Sequence, residues 1–131
     1  MASIRKEITI DARPEDVWDA LRDVGALHIR LVPGFVVDTK IEDGARLVTF
    51  GNGMVARELI VDIDDAGRRL VWSVIGGRMT HHNGAAQVFP DGEDGCRFVW
   101  VADLLPNEIA PAIATMMAEG IAVIKRTLEG R

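Results

Sequence analysis

Two side chains in this chain have the type and setting to do chemistry, Arg57 and His82. Arg57 lies in Val55-Ala56-Arg57-Glu58-Leu59, with aliphatic residues two positions away on either side. Alternate residues of a strand share a face, so Arg57 is expected on an apolar inner surface. A buried guanidinium is costly without a partner. That face supplies no obvious carboxylate, which leaves a ligand's carboxylate, phenolate or enolate, anions that suit the planar fork of arginine. The ordinary alternative is that Arg57 snorkels to the rim and stays wet.

His81 and His82 are adjacent, so on a strand they point to opposite faces and cannot share one metal. His82 has the inward parity. Its ordinary pKa lies near neutrality, so it could move protons in a cavity. The structural alternative is a histidine bonded to Asn83 or to a backbone carbonyl. His28 has a weaker case. No His, Cys, Asp or Glu group shows zinc-ligand spacing, so no metal and no cofactor is expected. Cys96, the single cysteine, has no neighbouring base and no nucleophile motif. Gly51-Asn52-Gly53 lacks the lysine-serine pair and helix of a phosphate loop. Trp72, Trp100, Met116 and Met117 are either core or the lining of a pocket for a flat apolar ligand.

The elements that must position these groups can be read from periodicity. Ile4 to Ile10 reads as a strand. Pro14 suits the first position of a helix, and Glu15 and Asp16 suit the positive end of its dipole. Val24-Gly25 breaks this helix, and Ala26 to Leu31 forms a second short one. Asp43-Gly44, Asn52-Gly53 and Ala66-Gly67 read as two-residue hairpin turns. Taken together they pair Thr39 with Val48, Val48 with Arg57, and Val61 with Trp72. One inner face then collects Val37, Ile41, Val48, Phe50, Val55, Leu59, Val61, Ile63, Leu70, Trp72 and Val74. Asp38, Lys40, Thr49, Glu58, Asp62, Asp64 and Ser73 fall outside. Two further strands, about Thr80 to Phe89 and Cys96 to Leu104, turn Ala86, Val88, Phe98 and Trp100 inward. The last element, about Asn107 to Leu128, carries Ile109, Ile113, Met116, Met117, Gly120, Ile121, Ile124 and Leu128 on one helical stripe. Gly120 near the middle of that stripe costs about 1 kcal/mol relative to alanine, so the sheet or a ligand is expected to come close there.

With 131 residues and no linker, the chain reads as one domain, 1–131. Hydrophobic residues at 48% and charged residues at 27% favour a packed core over disorder. The net charge of −5 and scattered basic residues leave no footprint for nucleic acid. The N-terminus lacks an apolar signal region, no membrane span is expected, and one cysteine fits a reducing cytoplasm. Oligomeric state is left open.

A strand, a Pro-Glu-Asp-Val-Trp helix, a six-strand meander and a long final helix resemble the helix-grip superfamily. It includes steroidogenic-acute-regulatory (START) lipid-transfer domains, pollen-allergen-like proteins and bacterial polyketide cyclase/dehydrase-like proteins. The resemblance spans the chain and rests on Ile8-Thr9-Ile10-Asp11-Ala12-Arg13-Pro14-Glu15-Asp16-Val17-Trp18, Gly95-Cys96-Arg97-Phe98-Val99-Trp100 and Asp103-Leu104-Leu105-Pro106. By length the chain looks nearest the small bacterial cyclase-like members. The resemblance implies an α+β fold: a curved antiparallel sheet of about seven strands, two short helices after the first, and a long C-terminal helix within its curve. It also implies a cavity between sheet and helix for a small hydrophobic or aromatic molecule, with or without an anionic group. The expected lining is Arg57, Trp72, His82, Trp100, Met117, Gly120 and Ile121. One alternative is a cyclase or dehydratase, with Arg57 stabilising an enolate and His82 as acid or base. Another is an interaction module whose cavity is vestigial.

Overall fold

The computed structural model describes residues 1–130. Strand β1 (Ala2–Ile10) alternates half-buried and exposed residues as an edge strand with one covered face does. Helix α1 (Pro14–Arg22) starts on its proline and buries Val17, Trp18, Ala20 and Leu21. Short helical turns at Val24–Ala26 and Leu27–Leu31 follow. Then come β2 (Val36–Glu42), β3 (Ala45–Phe50), β4 (Val55–Asp64), β5 (Arg69–Ile75), β6 (His81–Asp91) and β7 (Gly95–Leu105), and finally α2 (Ala110–Leu128). The seven strands form one antiparallel sheet in the order β1-β7-β6-β5-β4-β3-β2. This is the architecture the resemblance implied.

Helix α2 lies in the curve of the sheet, chiefly against β1 and the Leu27–Leu31 turn. Lys125 Nζ donates to Thr9 O at 2.6 Å, and Asp11 N donates to Glu129 Oε2 at 2.8 Å, so the end of the helix is tied to the end of β1. Trp18 Nε1 and Arg22 Nε both donate to Asp65 Oδ1, which holds α1 over the β4–β5 turn. The core collects Ile10, Val17, Leu70, Val88, Phe98, Ile121 and Ile124. A large aliphatic or aromatic side chain contributes about 1.5–3 kcal/mol when fully buried. By length and hydropathy alone, Asn107–Leu128 would suit a membrane span, with mean hydropathy 1.2. Met117, Gly120, Ile121 and Ile124 are buried within the fold, and 22% of the stretch in all.

The register of β4 corrects the sequence reading. The β3–β4 loop has three residues, not two: Thr49 pairs with Val55, and Phe50 N donates to Met54 O around Gly51-Asn52-Gly53. Gly53 sits at φ +91°, as the last residue of such a loop commonly does. A one-residue slip moves every side chain of a strand to the opposite face. Ala56, Glu58 and Ile60 therefore point inward, while Val55, Leu59, Val61 and Ile63 are exposed. A bulge between Ile60 and Asp62 restores the register, so Ile63 meets Leu70 as expected. The two departures cancel, which is why β3 and β5 could be assigned correctly while β4 between them was inverted. A second bulge in β2 puts Val36 inside and leaves Val37 exposed.

Candidate functional site

Arg57 is on the outer face. It pairs with Leu47 on β3 and with Ile75 on β5, and its Nη1 lies 3.3 Å from Glu42 Oε2 in an exposed ion pair. The place expected for it is taken by a pair the sequence reading missed. Arg46 faces inward opposite Ile41, and Glu58 is directly across the ladder from it. Arg46 Nε donates to Glu58 Oε1 at 2.8 Å, with residue exposures of only 4% and 8%. Arg46 Nη1 reaches Val24 O at 3.4 Å, and its guanidinium carbon lies 5.7 Å from the centre of the Trp72 ring. A signal for this pair was present. The Asp43-Gly44 turn places Arg46 inside, and a buried arginine demands a carboxylate.

The pair is on the wall of a chamber of about 70 Å³, lined also by Val48, Trp72, His82, Phe98, Trp100 and Ile124. Trp72 reaches its position because Gly84, its partner on β6, has no side chain. Trp72 and Trp100 are tilted against each other with ring centres 6.4 Å apart. Among the described residues, Trp100 Nε1 is buried with no hydrogen-bond partner, a cost of about 1–3 kcal/mol that a native fold rarely leaves without a reason. Gly120 lets α2 come close: a Cβ there would be 3.0 Å from the Trp100 ring and 3.2 Å from Phe35. Gly120 does not itself line the chamber. Met117 and Ile121 are buried packing residues outside its lining, and Met116 takes the place expected for Met117.

His82 is inward, 7% exposed and on the chamber wall. Its Nδ1 lies 3.0 Å from Met79 Sδ, in place of the Asn83 or carbonyl partner considered from sequence. Burial is the main cause lowering its pKa below the usual histidine value, and repulsion from His81 adds to it. His82 is therefore neutral at pH 7. As pH falls below about 6.5 the unfolded chain takes up a proton that the folded chain still refuses, so stability should fall in that window. Urea titrations of the wild type should show this slope, and His82→Gln should flatten it. An identical slope in the variant would mean that His82 is not the group responsible.

His28 Nδ1 is 3.0 Å from Thr39 Oγ1, a structural contact. Cys96 is buried and its thiol is pushed up to about 11, chiefly by burial, so it is unreactive near neutrality. Among the described residues no three His, Cys, Asp or Glu side chains are placed to hold a metal.

Outside the chamber an open, mainly apolar cleft of about 760 Å³ runs between the β3–β4 loop, the segment Gly76 to Met79 and the first half of α2. The cleft and the chamber adjoin, sharing Phe35, Phe50 and Met116 in their linings.

A curved antiparallel sheet holding a long helix over such a site makes this a helix-grip domain. Residues 1–129 match the family of polyketide cyclase / dehydrase and lipid transport proteins, and the chain belongs to that family. No curated protein sequence matches it. An uncharacterised protein from Bacillus thuringiensis is similar in structure at TM-score 0.87 and 16% identity, covering 97% of this chain and 98% of its own. A truncated norcoclaurine synthase from Thalictrum flavum is similar at TM-score 0.77 and 22% identity, covering 95% and 91%. A START superfamily protein from Mycobacterium smegmatis is similar at TM-score 0.76 and 13% identity, covering 98% and 95%. At these identities the likeness shows the shared fold.

Proposed function

We propose that this protein binds a small apolar molecule, aromatic or chain-like, whose bulk fills the cleft and whose polar end reaches Arg46, Glu58 and His82. The observation that carries this reading is the buried Arg46–Glu58 pair on a chamber wall made otherwise of aromatic and aliphatic groups. A buried ion pair is a weak means of stabilising a fold, since hydrophobic replacements often serve as well. As a recognition device it offers both donors and acceptors. Its charges cancel and His82 is neutral, so the chamber favours an uncharged polar end, such as a hydroxyl, ketone or amide, over the anion that an inward Arg57 would have favoured. Family membership supports the reading, because the family is described as including lipid transport proteins.

Calorimetry with three matched naphthalenes tests it. 2-Naphthol should bind about tenfold or more tighter than naphthalene, the worth of a hydrogen bond to a charged group. 2-Naphthoate should gain no advantage over 2-naphthol. The Arg46→Met/Glu58→Leu double variant should keep naphthalene affinity and lose the preference. Equal preference in the double variant would overturn the assignment of the polar end.

A second reading is a cyclase- or dehydratase-type reaction in the same site. It is favoured by three hydrogen-bonding side chains on one wall, among them a neutral imidazole able to accept a proton. In this reading Arg46 takes the enolate-stabilising role considered for Arg57. Turnover of a β-diketone probe that His82→Gln abolishes, with 2-naphthol affinity unchanged, would support it. No turnover by the wild type would leave binding alone.

A further inference from the structure

The cleft and the chamber share three wall residues, Phe35, Phe50 and Met116. The other lining residues belong to one space or the other. The two phenyl rings meet edge to face with centres 5.7 Å apart. We propose that Phe35, Phe50 and Met116 form a gate that selects ligands by width, admitting to the polar chamber only a flat ring or an unbranched chain. This rests on the two-part site described above and assigns its specificity element.

The backbone behind the two rings is braced. Gly51 N donates to Phe35 O at 3.0 Å, Phe50 N donates to Met54 O at 2.8 Å, and a Cβ on Gly51 would be 2.6 Å from Gly34 O. The segments carrying Phe35 and Phe50 are therefore pressed together with no space for a side chain between them. Phe35 is also held from α2, where Gly120 receives the edge of its ring. Met116 is the adaptable member. Its side chain is unbranched and has three rotatable bonds, and it lies half-buried on α2, one turn before Gly120. A rotamer change at Met116 alters the width here with no movement of the sheet.

Trp72 and Trp100 on the chamber wall report entry without any bound ligand. In a Trp18→Phe background they supply all the tryptophan fluorescence. The probes are acrylamide, which is thin, and N-tert-butylacrylamide, the same quenching group with a branched end. In the starting protein the ratio of their bimolecular quenching constants should exceed the ratio for free N-acetyltryptophanamide. Met116→Ala should raise quenching by the branched probe at least about threefold, by shifting the gate toward open states. Phe35→Leu should do the same, and Met116→Phe should slow both probes. Ile113→Ala, which alters the cleft wall alone, should change neither constant. Alanine suits a helix, so Met116→Ala is expected to fold, and melting curves check this. Unchanged quenching in Met116→Ala, or an equal rise in Ile113→Ala, would overturn the gate. The naphthalene affinities report the polar end separately, so either idea can fail without the other.

Discussion

Glu58→Leu should destabilise the protein by about 3–5 kcal/mol, because it leaves the Arg46 guanidinium buried with no carboxylate. Arg46→Met should be costly for the converse reason. The double variant Arg46→Met/Glu58→Leu should recover most of the loss and match the wild type or exceed it, since a well-packed apolar pair needs no desolvation of charge. Urea unfolding of the four proteins at pH 7 closes the cycle and isolates the coupling. Arg57→Met is the contrast. Its ion pair with Glu42 is exposed, and such pairs contribute about 0–1 kcal/mol. A loss below 1 kcal/mol in Glu58→Leu, or a larger loss in Arg57→Met, would contradict the register of β4.

Gly84→Ala should cost about 1–3 kcal/mol, the range for forcing extra volume into a packed core. An alanine Cβ there would intrude on the Trp72 ring, 2.5 Å from Cζ2 and 2.6 Å from Nε1. The ring cannot retreat freely, because Trp100 and the Arg46 guanidinium pack against it. The displaced indole should change the near-ultraviolet circular dichroism and weaken 2-naphthol binding together. Trp72→Leu should make Gly84→Ala nearly harmless, because the ring that the methyl strikes is gone. Gly120→Ala provides the comparison on α2. Its closest contacts, 3.0 and 3.2 Å, are to edges of side-chain rings, and the gain in helix propensity of about 1 kcal/mol offsets the crowding. A Gly84→Ala variant as stable as the wild type, with its dichroism unchanged, would show that Trp72 does not need the space.

Much of the fold was legible from local signals. Pro14 with Glu15 and Asp16 marked α1, Asp43-Gly44 marked the β2–β3 turn, and the stripe from Ile109 to Leu128 marked α2. Each is a short-range effect of backbone conformation or of apolar periodicity. The inward parity of His82, Trp72 and Trp100 was legible too, since β5, β6 and β7 run without a bulge through those residues. The resemblance to the helix-grip superfamily carried the overall topology.

The site itself was less legible. A third loop residue at Gly51 to Gly53 and a bulge at Val61 each change the count by one, and nothing in composition announces either. With a side-chain period of two, one residue is enough to exchange Arg57 for Glu58 on the inner face. On α2, Met116 and Met117 both lie on the apolar stripe, and only the placement of the helix against the sheet makes one a wall of the cleft and the other core. The elements, their order and the apolar character of the enclosed face were all readable in advance, because they follow from local propensity and periodicity. Tertiary structure alone decided which arginine is buried with which carboxylate and where the cavity narrows, because these depend on register and helix placement accumulated over several strands.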